Sequence, residues 1–137
     1  MADKYDIPNI LLQLVNAGNN EWVAIQGEII GEGIQSNKYN IHGRELYLFN
    51  YITSNDGKLK CTDVENIFKQ KYNLKWCPLI KVDYTLPENG VEGLLSEADG
   101  MSALEDDVQR EGLVLRNSEQ RISFKVISNE FLLKWGL

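Results

Sequence analysis

Three charged residues sit inside strongly apolar runs of this 137-residue sequence: Glu28 in VAIQGEII, Glu111 at the head of EGLVLR, and Lys125 in ISFKVI. A buried charge is costly unless it is paired or meets a ligand. Side chains on an extended strand alternate between faces, which places Glu28 with Gln26 and Ala24, and Lys125 with Ser123 and Ile127. Carboxylates and an ammonium on sheet faces are what a site for a phosphorylated ligand and a divalent metal requires. The plainer alternative puts each charge on the solvated side of a half-exposed strand.

Other chemistries are poorly supplied. Gly27, Gly31 and Gly33 do not complete a G-x-G-x-x-G, because position 36 is Ser36, and no G-x-x-x-x-G-K-[ST] occurs. Phosphate contacts would therefore come from lysines and backbone. His42 is the single histidine, so neither a Ser/His/Asp nor a Cys/His arrangement is credible. Cys61 and Cys77 form no Cys-x-x-Cys pair, which argues against structural zinc and for reduced thiols. The net charge of −6 is the wrong sign for a protein that grips nucleic acid mainly by charge. Lys58, Lys60, Lys69, Lys71 and Lys75 form one lysine-rich stretch, ordinarily a solvated face.

The elements that must position these residues are legible. Asp6 to Ala17 reads as a helix, capped by Asp6, with Pro8 in the first turn and Ile10, Leu11, Leu14 and Val15 on one stripe. Gly18 and two asparagines end it. Residues 21–30 and 45–53 are rich in β-formers and read as strands, with a turn at 54–57. Thr62 and Glu65 have capping-box spacing before a helix to about Tyr72. Leu74 to Tyr84 reads as extended, with Pro78 marking an edge or bulge. A turn at Pro87, Asn89 and Gly90 precedes a short helix over 91–98. Arg110–Arg116 and Arg121–Ser128 read as a strand hairpin joined by 117–120, followed by a helical turn over 129–135. The pattern predicts one α+β domain over residues 1–137, a mostly antiparallel sheet with flanking helices. A composition of 43% hydrophobic and 25% charged residues suits a globular chain. No apolar run approaches the ~20 residues of a membrane span, and the N-terminus lacks signal-peptide character, so a cytoplasmic location is expected.

Taken in order, VAIQGEIIGEGIQSNKY, LYLFNYI, EGLVLR and SFKVISNEFLLK resemble the ATP-dependent RNA ligases. These belong to the covalent nucleotidyltransferase superfamily, with DNA ligases and mRNA capping enzymes. The resemblance runs from Trp22 to Lys134 and implies the C-terminal part of an ATP-grasp-like ligase domain. It implies that Glu28 contacts the nucleotide ribose or helps organise metal, and that Phe49 stacks on adenine. By the same resemblance Glu111 acts through a divalent metal near the attacked phosphate, and Lys125 meets the nucleotide phosphates. Many relatives carry a second lysine where this chain has Ile127, which leaves Lys134 as the candidate for that role. Gln35, Asn37 and Tyr39 match the family's text without an assigned role. The implied cofactors are ATP or AMP and Mg2+ or Mn2+, and the implied partners are RNA ends. Family chemistry passes AMP from a lysine to an RNA 5′-phosphate and then joins the ends. Each step is displacement at phosphorus, served by lysines and metal-holding carboxylates.

The nucleophilic lysine of that chemistry lies in a K-x-D-G motif, which this sequence lacks. Its two Asp-Gly pairs have Ser54 and Glu97 at the lysine position. The expectation is a ligase fragment that cannot form enzyme–AMP alone and pairs with a missing N-terminal half or with itself. The alternatives are a non-catalytic nucleotide- or RNA-end-binding module, and an interaction domain with no nucleotide site. The nucleotide readings require Glu28, Glu111 and Lys125 to face one cavity.

Overall fold

The computed structural model describes residues 2–117, 119 and 122–136. The chain divides into two compact units, Met1–Ile29 with Glu45–Cys77, and Ile30–Arg44 with Pro78–Leu137. The architecture is α+β, as the sequence predicts.

The first unit opens with α1 (Ile7–Gly18). Its Ile10 and Leu14 are buried, as the 3.6-residue stripe requires. Asp6 does not cap it. Its backbone is left-handed, and its carboxylate accepts from the Asn9 side chain at 2.9 Å instead of from a backbone N–H. Asn19 takes the left-handed position that closes the helix. Strand β1 (Val23–Gly31) lies beside β2 (Arg44–Thr53). A short β3 (Gly57–Lys58) pairs antiparallel with the end of β2. Helix α2 (Cys61–Asn66) continues as a π-helical turn over Ile67–Lys71. The Thr62–Glu65 capping box does not form, because the helix starts two residues earlier than that box would set it, after Lys60, with no side-chain cap. The predicted extension over 74–84 reduces to β4 (Lys75–Trp76), which pairs parallel with β2 at Tyr47 and Leu48. Pro78, which has no N–H to donate, follows directly after Cys77, whose N–H still reaches the Leu48 carbonyl at 2.7 Å. Phe68 is fully buried at the centre of this unit, with the rings of Tyr51, Trp76 and Tyr72 at 5.3, 5.4 and 5.9 Å. Leu48, Val64 and Leu74 complete the core.

The second unit holds α3 (Val91–Ala98), β5 (Gly112–Arg116), β6 (Ser123–Ile127) and α4 (Asn129–Trp135). β5 and β6 form the predicted antiparallel hairpin, with Val114 opposite Lys125. In the predicted connection 117–120 and at the predicted strand start, Ser118, Gln120 and Arg121 lie outside the described residues. α3 lies against both strands. Phe131, fully buried, anchors α4.

Candidate nucleotide and metal site

In the second unit the structure brings Glu111 and Lys125 together: Lys125 Nζ lies 2.5 Å from Glu111 Oε1. Both side chains remain partly open to solvent. Glu111 immediately precedes β5, and Gly112 explains why a glycine follows it. A Cβ at Gly112 would overlap the carbonyl oxygen of Val126 on β6. Only glycine lets the strands close beside the glutamate.

The Glu111 backbone is held at both polar groups. Its N–H donates to Tyr39 Oη at 3.1 Å, and its carbonyl accepts from Ser128 N–H at 2.7 Å. Ser128 is fully buried and also caps α4, its Oγ accepting from Phe131 N–H at 3.2 Å and donating to Asp99 at 2.5 Å. Next in sequence to Glu111, the Arg110 guanidinium donates to the carbonyls of Glu97, Ala98 and Asp99. These include carbonyls that the end of α3 leaves without helical partners. Glu111 thus stands where the ends of β5, β6, α3 and α4 are tied together. Lys134, in the last turn of α4, is exposed, with its ammonium 5.7 Å from the Trp135 ring centre. A hollow of about 510 Å³ in this unit is lined by Asn89, Ser96, Glu97, Asp99 and Arg110, and none of the five predicted site residues lines it.

The first unit carries the other two. Glu28 is exposed on β1. Gln26, on the same face by strand alternation, accepts from Asn50 Nδ2 at 2.7 Å. Gly27, between them, is needed because a Cβ there would meet the Tyr47 carbonyl oxygen at 2.7 Å. Phe49 is half-buried on β2, so its ring is not simply a core residue. A further polar group, not singled out in the sequence, lies on β2 and β4. Lys75 Nζ is 2.7 Å from Glu45, and Tyr47 Oη donates to the same carboxylate at 3.0 Å. The Lys75 hydrogen bond is the largest influence on Glu45 and lowers its pKa against a smaller opposing effect of burial. Burial, then the bond to Glu45, pushes the Tyr47 phenol up to about 12.

Among the described residues no three or more His, Cys, Asp or Glu side chains gather into a metal cage. Glu28 in the first unit and Glu111 in the second are each single carboxylates, and an ion such as Mg2+ or Mn2+ takes only one or two from a protein and completes its shell with phosphates and water.

The RNA ligase family model matches residues 1–135. No curated protein gives a significant match. Among solved structures, a lysine-to-alanine mutant of the Naegleria gruberi RNA ligase with ATP and manganese matches at 32% identity and TM-score 0.80, covering 97% of this chain and 39% of that one. A lysine-to-methionine mutant of that ligase with AMP and manganese matches at 31% and 0.78, with the same coverages of 97% and 39%. The same ligase with pyrophosphate matches at 31% and 0.76, again covering 97% and 39%. This chain therefore spans about two fifths of the length of the ligase it matches. The family match over nearly every residue, together with these likenesses, establishes that the chain belongs to the RNA ligase family.

Proposed function

We propose that this chain forms the phosphate- and metal-facing part of the nucleotide site of an ATP-dependent RNA ligase that acts on RNA ends. The observation that carries this reading is the Glu111–Lys125 pair, an acid and a base at 2.5 Å in a fixed strand hairpin of an RNA ligase family member. The ATP, AMP and manganese in the Naegleria ligase structures support the ligand class.

Without ligand the two charges neutralise each other. With a nucleotide bound, Lys125 would donate to phosphate oxygens and Glu111 would be the carboxylate that holds a divalent ion, so each lost partner would be replaced. The ion supplies charge neutralisation at the phosphorus under attack. By the same family resemblance Glu28 would contact the ribose or help organise metal, Phe49 would stack on the adenine, and Lys134 would add a cation at the phosphates. Titration calorimetry tests this. Lys125→Met is expected to weaken ATP binding about tenfold, the worth of one charge-assisted hydrogen bond, and to leave adenosine binding as it was. Equal ATP affinity in the two proteins would sink the reading.

One sequence fact favours a second reading, nucleotide or RNA-end binding without catalysis. Neither Asp-Gly pair carries the lysine of K-x-D-G. On the first reading the nucleophile comes from a K-x-D-G segment outside these 137 residues, such as a partner half; on the second none is needed.

A further inference from the structure

The geometry points to Tyr39 as a positioning residue for Glu111, delivered by a latched loop over residues 34–41. This inference rests on the reading of Glu111 as a metal-holding carboxylate. The loop is costly for its residue types. Gln35, Ser36, Asn37 and Asn40 all have left-handed backbones, with φ of 45, 63, 48 and 51°. L-residues avoid that region, and such conformations persist where the surroundings over-determine them.

Here the surroundings do so. The Asn37 side chain spans to Ile41 twice, Nδ2 donating to its carbonyl at 2.9 Å and Oδ1 accepting from its N–H at 3.0 Å. The Ile34 carbonyl accepts from Asn37 N–H at 2.8 Å. Lys38 sets its ammonium 5.5 Å from the Phe131 ring centre and 5.7 Å from that of Trp135, which grips α4. What the loop then presents is the Tyr39 hydroxyl, at 3.1 Å from the Glu111 N–H. Ser128 holds the opposite side of the same residue at 2.7 Å. With both backbone groups fixed, the Glu111 side chain starts from one position. Only the side-chain torsions are then left to set when the carboxylate turns from Lys125 to an ion, and reducing that freedom is how outer-shell partners raise metal affinity.

The test uses the whole chain with AMP and Mn2+, reading bound Mn2+ by electron paramagnetic resonance, AMP binding without metal by calorimetry, and the unfolding midpoint. Tyr39→Phe keeps the ring and removes the acceptor. It is expected to weaken Mn2+ binding about tenfold, with metal-free AMP affinity and the midpoint unchanged. Glu111→Gln is expected to lose more than Tyr39→Phe. Wild-type Mn2+ affinity in Tyr39→Phe, or an equal fall in metal-free AMP affinity, overturns the positioning role while leaving the Glu111 reading standing. Wild-type Mn2+ affinity in Glu111→Gln overturns both. Should Tyr39→Phe fail to fold, Asn37→Ala loosens the same loop with the hydroxyl retained. It is expected to weaken Mn2+ binding about threefold, a milder case of the same outer-shell loss, and no change overturns the proposal.

Discussion

Lys75 meets Glu45 much as Lys125 meets Glu111, yet the two pairs do different work. The first is tied to β2 and β4 by their parallel register and is joined by the Tyr47 hydroxyl, so it fastens a two-residue strand. Its charge coupling has a definite pH signature. Glu45 in the folded chain titrates below the ordinary value of 4.5, chiefly through Lys75. A depressed carboxylate contributes stability that is present above the unfolded value and lost as pH falls through the folded one. Urea unfolding across that acid window is expected to show a smaller loss for Lys75→Met than for wild type. The difference stays under about 1 kcal/mol, because the pair is solvent-screened. Identical acid profiles would remove the coupling. At this scale Glu28, Glu111 and Lys125 stand out in the sequence as charges inside apolar runs; the structure pairs the last two and leaves Glu28 exposed on β1. The sequence marked Tyr39 only as family-like text without a role, and it did not disclose Ser128 or the Glu45–Lys75–Tyr47 group. Those are ordinary polar residues whose meaning comes from partners distant in the chain or across a strand pair.

Strands and helices place these side chains through close backbone contact, and two glycines carry that contact. Gly27 adjoins Glu28 and Gly112 adjoins Glu111, each where a neighbouring strand presses in. The Gly-Glu and Glu-Gly spellings therefore have a packing cause: the strand that bears the acid must also admit its neighbour. Gly112→Ala would drive a methyl into the Val126 carbonyl, a backbone atom that cannot swing aside. It is expected to destabilise the second unit by about 2 kcal/mol, seen as an earlier loss of protected amides in β5 and β6 during hydrogen exchange. Unchanged protection would mean the strands separate freely. The hairpin, α1, α3 and α4 were legible because apolar period and turn residues agree there. The Thr62 cap and the strand over 74–84 misled for a common reason. Capping and β-propensity are weak local preferences, and burial of Val64, Phe68 and Trp76 fixes where the helix starts and where pairing stops.

For the molecule as a whole, the net charge of −6 and the coverage of 39% of the Naegleria ligase bear on what the chain does unaided. An acidic chain gains little from general attraction to RNA, which is why the proposed site rests on placed groups such as Lys125. Forming a lysine–AMP bond needs a nucleophile aimed at the α-phosphate as well as a pocket. Neither lysine one might enlist, Lys4 or Lys38, stands in a K-x-D-G motif, and each lies over an aromatic ring. Lys4 lies 5.3 Å from the Tyr5 ring centre, and Lys38 is spread over Phe131 and Trp135 at 5.5 and 5.7 Å. Incubation with radiolabelled ATP and Mg2+ is therefore expected to leave this chain unlabelled. Adding a K-x-D-G segment from an RNA ligase in trans is expected to produce label on the added lysine, and Lys125→Met in this chain to abolish it. Label on this chain alone would show that one of its own lysines has taken over as nucleophile, and the fragment reading would fall. Label on the added lysine that survives Lys125→Met would show that the added segment makes its own phosphate site, and the role given to this hairpin would fall instead.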